Sequence, residues 1–141
     1  MSAALRDFLA SPRCLYLEIS AACNLDCAIC ANAHRYGSQD TGRRLSRQDI
    51  QRLLAQLPEP PLKVILTGGE PLLHPDLVGI LDDLCRAGIY HAIYTNAVVP
   101  IGNELWQALS QDPFLAHYTV SLHSVAPEEH EFLTGRPGSF Q

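Results

Sequence analysis

The chain has 141 residues, 47% of them apolar and 18% charged, and its ten basic against fifteen acidic side chains give a net charge of −5. Such a composition suits one ordinary globular domain, and the negative balance supplies no electrostatic basis for binding nucleic acid or an anionic membrane. The N-terminal "MSAALRDFLASPR" has no apolar h-region and no run approaches the ~18 residues of a membrane span, so the cytoplasm is the expected location. In that reducing compartment clustered cysteines serve as metal ligands or redox groups more often than as disulfide partners, and an odd total of five points the same way.

Residues 1–13 read as an extension ahead of a single core domain over 14–141, in which strand and helix patterns alternate. "CLYLEIS" (14–20) sets Leu15, Leu17 and Ile19 on one face and Tyr16, Glu18 and Ser20 on the other, the period of two expected of a strand. "LSRQDIQRLLAQL" places Ile50, Leu53, Leu54 and Leu57 at helical spacing, with Ser46 as N-cap and Pro58 beyond the end. "KVILT" (63–67) is a short apolar strand. In "HPDLVGILDDLCRAG" the spacing of Leu77, Ile80, Leu81 and Leu84 predicts a second helix closed by Gly88. "YHAIYT" (90–95) predicts a third strand, Ile101, Leu105 and Leu109 a shorter third helix, and "YTVSL" (118–122) a fourth strand. "APEEHEFLTG" (126–135) reads as a short last helix with Pro127 at its first position and Gly135 after its end.

Strands separated by single helices pair in parallel through right-handed crossovers, in a sheet either open and doubly wound or curved towards a barrel. Both architectures bind ligands at the C-terminal strand ends. The unusual residues gather there: "CNLDCAIC" (23–30) after the first strand, "GGEP" (68–71) after the second, "TN" (95–96) after the third and "SLHS" (121–124) at the end of the fourth.

The spacing Cys23-x3-Cys27-x2-Cys30 is the strongest signal in the chain. Thiolates are soft ligands that select zinc or iron–sulfur clusters, and such spacings let one loop wrap a metal centre. A structural zinc is closed by four protein ligands, whereas an iron–sulfur cluster held by three cysteines keeps one iron open for substrate. The alternative is a zinc knot of Cys23, Cys27, Cys30 and His34, in a domain that binds metal without catalysis. A Cys27-x2-Cys30 redox pair leaves Cys23 and "GGEP" unexplained. Cys14 and Cys85 read as buried small apolar side chains.

The cysteine loop, with "GGEP" after the next strand, resembles the radical S-adenosylmethionine (radical SAM) enzymes, over essentially the whole chain from Cys14 onward and with a pattern nearest to the peptide-modifying members. The resemblance implies a partial parallel (β/α) barrel. It implies that Cys23, Cys27 and Cys30 each hold one iron of a 4Fe-4S cluster whose fourth iron is chelated by S-adenosylmethionine. Electron transfer from that cluster, fed by a donor such as a flavodoxin or ferredoxin, would cleave the sulfonium and yield a 5′-deoxyadenosyl radical that abstracts hydrogen from a peptide or small-molecule substrate. It also implies that Gly68, Gly69, Glu70 and Pro71 hold the cofactor's amino group, and that Ser121, with Asn96 as a second candidate, contacts its ribose or carboxylate.

The chain departs from the family's pattern in places. Ile29 stands where an aromatic residue often stacks near the adenine, "TNA" (95–97) replaces "TNG", and "SLHS" replaces "SLDG", with His123 in place of aspartate. Its four strands compare with about six βα units that close the family's partial barrel. The expectation is therefore an N-terminal fragment with the C-terminal units missing, Ser139 capping a helix whose body is absent, and an isolated chain that dimerises or aggregates; the alternative is a half-barrel that completes itself by dimerising. Glu18 would point into the lumen with Ser20, Thr119, Ser121 and His123, as a substrate or cofactor contact or as a satisfied buried carboxylate. The basic run Arg35, Arg43, Arg44, Arg47 and Arg52 reads as a solvated face, or as a greeting for an acidic substrate at the barrel mouth. Arg136 could pair with a carboxylate near the fourth strand, and His34, His74, His91, His117 and His130 read as structural.

Overall fold

The computed structural model describes residues 12–31 and 42–141. His34, Arg35 and residues 1–11 of the N-terminal extension lie outside the described residues. The elements run β1 (Cys14–Ser20), α1 (Arg47–Ala55), β2 (Lys63–Gly68), a 3-10 turn (Pro71–Leu73), α2 (Leu77–Arg86), β3 (Tyr90–Thr95), α3 (Asn103–Gln111), β4 (Leu115–Val120) and α4 (Pro127–Thr134). All three strand pairings are parallel, in the order β1-β2-β3-β4.

That order decides between the two architectures left open by the pattern of elements. A doubly wound sheet reverses its strand order at a switch point so that helices cover both faces. Here strand order follows chain order, and right-handed crossovers then place every connecting helix on one face. Burial agrees. Leu17, Ile19, Val64, Leu66 and Ile93 are buried against Ile50 of α1 and Leu77, Ile80, Leu81 and Leu84 of α2, with Leu105, Leu109 and Tyr118 at the margin. Each such side chain contributes roughly 1.5–3 kcal/mol by leaving water. The opposite face carries Tyr16, Tyr90 and Tyr94, which stay exposed, Tyr16 at 61%. Tyr16 and Tyr94 meet edge to face at 6.5 Å. The sheet is thus an open wall of a (β/α) barrel, helices outside and an aromatic inner face.

Local signals explain most boundaries. Ser46 and Asp49 form a reciprocal capping box at the start of α1, and Pro127 and Gly135 bracket α4. Four expectations are corrected. The fourth strand begins at Leu115 rather than Tyr118 and ends at Val120; Ala116 and His117 hide its start, because His117 belongs to the uncovered inner face opposite Ala92. Ile101 precedes α3 and is exposed, Gly102 being the cap, and Leu57 lies beyond α1. Cys14 is exposed, because it opens β1 on the same uncovered face. Apart from these, the buried Ser139 hydroxyl lies 2.6 Å from Thr134 Oγ1 of α4.

Polar ties join the outer layer. His91, fully buried, has Nδ1 3.0 Å from the Ile89 carbonyl and Nε2 2.9 Å from Asp112 Oδ2, linking β3 to the α3–β4 turn. Arg47 donates twice to Asp83 at 2.6 Å, and Gln51 adds a third bond, clamping α1 to α2. Arg52 lies 3.4 Å from Asp49 on its own helix, so neither Arg47 nor Arg52 sits at a barrel mouth. Residues 43–45 run beside the end of β1: Ser20 and Arg44 form an antiparallel bridge, and Ala21 N–H donates to the Arg43 carbonyl. None of the described helices is long and apolar enough to cross a membrane.

The Arg47 guanidinium holds the Asp83 carboxyl below the usual carboxylate range against an upward push from burial, and Gln51 adds a lesser downward pull. A folded-state pKa below the unfolded value gives stability that is full above the unfolded pKa and lost as pH falls through the folded one. Asp83→Asn is therefore expected to flatten the acid limb of the stability curve, read as thermal midpoints from about pH 7 to about pH 3.

Candidate metal and cofactor site

The C-terminal ends of the four strands meet at one rim, and backbone contacts build it. Gly69 N–H donates to the Ser20 carbonyl and Glu70 N–H to the Ala22 carbonyl, both at 2.7 Å, so the turn after β2 lies flat on the stretch leaving β1. Only glycine fits. A Cβ on Gly68, at φ +123°, would fall 2.4 Å from the Ser20 oxygen, and one on Gly69 2.2 Å from the Ala22 oxygen.

Glu70 is wholly buried. Its Oε1 accepts from Leu72 N–H at 3.0 Å and from the Thr95 hydroxyl at 2.6 Å, and its Oε2 accepts from Asn96 N–H at 2.8 Å. Three of the roughly four lone-pair positions of a carboxylate are thereby filled, and the ends of β2 and β3 are joined. Thr95 Oγ1 accepts in turn from the amide of Ala97, which has φ +59°. Pro71, also buried, begins the 3-10 turn.

The cysteine loop is held from two sides. Asn96 Nδ2 donates to Asn24 Oδ1 at 2.8 Å and lies 3.8 Å from Cys23 Sγ. On the other side the last carbonyls of α4, which have no partner within the helix, accept from the loop: Thr134 from Asp26 N–H at 3.1 Å and Leu133 from Ala28 N–H at 2.9 Å. Arg136 then donates to the Asn24 carbonyl at 2.7 Å. Arg136 therefore serves the cysteine loop and not a carboxylate by the fourth strand.

Cys23, Cys27, Cys30, Ile29, Gly68, Gly69, Asn96 and Ser121 line one cavity of about 250 Å³, together with Tyr94 and His123. Glu70 and Pro71 sit behind its wall. Ile29 is 59% exposed at the rim. Glu18 lines a separate depression with Arg43 and Arg44. His123 stacks on the buried ring of His130 at 5.7 Å, and its amide donates to His130 Nδ1. Burial pushes the Cys23 and Cys27 thiols up; the Leu25 amide opposes this at Cys23, and the neighbouring cysteines add to it at Cys27.

The donor set can be tested for fit. A single zinc needs every sulfur at ≈ 2.3 Å from one point, and among the described residues no three Cys, His, Asp or Glu side chains are gathered closely enough to hold one ion. Cys23, Cys27 and Cys30 share one cavity wall, and three soft thiolates there suit one cysteine per metal of an iron–sulfur cluster; His34, the fourth ligand of the zinc alternative, lies outside the described residues.

Several site residues escaped sequence reasoning. Asn24 and the end of α4 carry no motif of their own, and Thr95, noted within "TN", was given no role. Tyr94 was within reach, since Tyr90, Ala92 and Tyr94 alternate onto the same face as Tyr16.

A model of the Radical SAM superfamily matches residues 17–141. Among curated proteins the chain is 31% identical over 122 residues to a probable GTP 3′,8-cyclase of Methanothermobacter thermautotrophicus, covering 85% of this chain and 38% of that protein. It is 32% identical over 111 residues to a PqqA peptide cyclase of Rhodopseudomonas palustris, covering 78% of this chain and 28% of that one. Among solved structures, Streptococcus suis SuiB bound to the precursor peptide SuiA superposes with a TM-score of 0.78 at 25% identity, covering 96% of this chain and 30% of SuiB. SuiB bound to S-adenosylmethionine gives the same TM-score at 26% identity, over 98% and 32%. The chain thus spans well under half the length of each of these relatives.

Gly135, at φ +66°, is where α4 meets the loop, and a Cβ there would fall 2.6 Å from the Asp26 oxygen. Gly135→Ala is expected to cost ~1–3 kcal/mol of backbone strain and to raise hydrogen exchange at the Asp26 and Ala28 amides above that of the β2 amides.

Proposed function

This chain belongs to the Radical SAM superfamily, and on that footing we propose that it is part of an enzyme that binds a 4Fe-4S cluster and S-adenosylmethionine to modify a peptide or peptide-derived substrate. The observation that carries this reading is the meeting of Cys23, Cys27 and Cys30 with Gly68, Gly69 and Ser121 on one cavity. Each of the three cysteines would hold one iron. Bound there, cluster and cofactor supply reductive cleavage of a sulfonium and a 5′-deoxyadenosyl radical able to abstract hydrogen from substrate.

The chain's own residues bind and orient. The Gly68–Gly69 turn brings backbone to the cavity, and the missing side chains are what let it lie against the stretch leaving β1. Glu70, behind the cavity wall, holds the rim in shape through its three bonds, and with it the backbone that would face the cofactor's ammonium. Pro71 fixes the turn behind it. The Ser121 hydroxyl takes the ribose or carboxylate, Asn96 lining the same cavity, and Ile29 packs against the adenosine without stacking. The Tyr94 ring, with Tyr16 edge-on against it, lines the cavity from the inner face of the sheet.

A peptide substrate is favoured by two of the relatives, a PqqA peptide cyclase and SuiB with its precursor peptide. Cys30 and Ile29, both exposed, give the loop a solvent face for a one-electron donor such as a flavodoxin or ferredoxin. The cytoplasm is the proposed location. The uncovered inner face makes the isolated chain prone to dimerise.

Anaerobic reconstitution with iron and sulfide is expected to give a brown protein whose cluster is lost on Cys23→Ala, Cys27→Ala or Cys30→Ala and kept on Cys14→Ala and Cys85→Ala. Stoichiometric zinc without labile sulfide in the purified protein would overturn the proposal. Glu70→Gln, which turns an NH2 group towards the Asn96 amide, is expected to keep the cluster, to lower stability by about 2 kcal/mol through a lost charged hydrogen bond, and to weaken S-adenosylmethionine binding about ten-fold. Denaturant titration and calorimetric binding separate the two effects.

A further inference from the structure

Resting on the cluster reading above, we infer that Asn96 is a positioning residue that raises the reduction potential of the cluster through a hydrogen bond from its side-chain amide to the Cys23 sulfur. Asn96 Nδ2 lies 3.8 Å from Cys23 Sγ, within the reach of an N–H to a large, diffuse sulfur acceptor. The amide's orientation is set by contacts that do not involve the cysteine. Its Oδ1 accepts from Val98 N–H at 3.0 Å, so the NH2 group must be the end that faces the loop. That NH2 group also donates to Asn24 Oδ1 at 2.8 Å, which occupies one of its two protons and leaves the other for sulfur. The backbone of Asn96 is fixed by its own bond to the buried Glu70 carboxylate.

The arrangement singles out one cysteine. Cys23 Sγ also accepts from Leu25 N–H at 3.4 Å, so the Asn96 amide adds a side-chain donor to a backbone one. Reduction adds one electron, part of whose charge falls on the ligand sulfurs, and an N–H dipole aimed at a sulfur stabilises the reduced form. One electron enters from the external donor, no bond is made or broken, and no proton moves. Because a carboxamide is neutral in both states, the bond holds its strength across the pH range in which the protein is folded.

The test is a redox titration, followed by electron paramagnetic resonance, of the reconstituted chain and three variants. Asn96→Ser keeps a short acceptor for Val98 N–H but cannot reach the sulfur, Asn96→Asp replaces the donor by a carboxylate of the same shape, and Asn24→Ala removes the neighbouring anchor. At a fixed applied potential, Asn96→Ser is expected to lower the ratio of reduced to oxidised cluster about ten-fold, equivalent to ~59 mV for a one-electron couple. Asn96→Asp is expected to lower it further, and Asn24→Ala to leave it near the parent value. A cluster-replete Asn96→Ser protein with an unchanged potential overturns the inference and leaves the cluster reading standing. An equal shift in Asn24→Ala also overturns it, since loop anchoring would then be the cause. Absence of iron and labile sulfide from the reconstituted parent chain overturns the cluster reading itself.

Discussion

A wholly buried carboxylate, that of Glu70, is the tie on which the rim of this sheet depends. A lone ionised group away from water is costly unless donors replace its hydration. Here they come from three places: Leu72 in the turn that follows, and Thr95 and Asn96 at the end of the next strand. No cation is needed, because two amides and a hydroxyl aim their dipoles at one group. Meeting that demand brings β2 and β3 to a common level and sets the turn at Ala97. The Asn96 amide is then delivered to the cysteine loop as a consequence.

The cysteine loop has little regular structure of its own between Ala21 and Ala31. Its shape is borrowed. The β3 turn supplies side-chain donors on one side, and the end of α4 supplies carbonyls that would otherwise be unmet on the other. Each holder uses groups left over from its own element, so the loop and the helix end satisfy one another. That economy explains why Gly135 must be a glycine: the left-handed turn ends α4 and, in the same residue, clears the Asp26 carbonyl.

Much of this was legible in the sequence wherever information is local. Alternation in "CLYLEIS" assigned Leu17 and Ile19 to the core and Tyr16 to the other face, as found. Helical spacing found the core side chains of α2, and the cysteines and the glycine turn were found because each lies within a few residues. What stayed hidden has another cause. The start of β4 was missed because a strand whose inner face is uncovered need not alternate apolar with polar, and Cys14 was misplaced for the same reason. The ties that shape the site join residues 25 and 112 positions apart, Thr95 to Glu70 and Arg136 to Asn24. Such contacts leave no period to read. They follow only from a strand order that brings the chain's C-terminal strand ends together.

The reach of that last contact carries a consequence for biosynthesis. A ribosome releases Cys23, Cys27 and Cys30 early, when β1 has only just emerged, whereas the groups that hold their loop come with Leu133, Thr134 and Arg136. A domain folds as a unit while synthesis proceeds at ≈ 5–20 residues per second, so the three thiols spend several seconds exposed on a nascent chain before α4 can dock. Whatever they are to hold is best delivered after translation has passed Arg136, and until then the thiols need a reducing environment or an escort to keep them from pairing with one another.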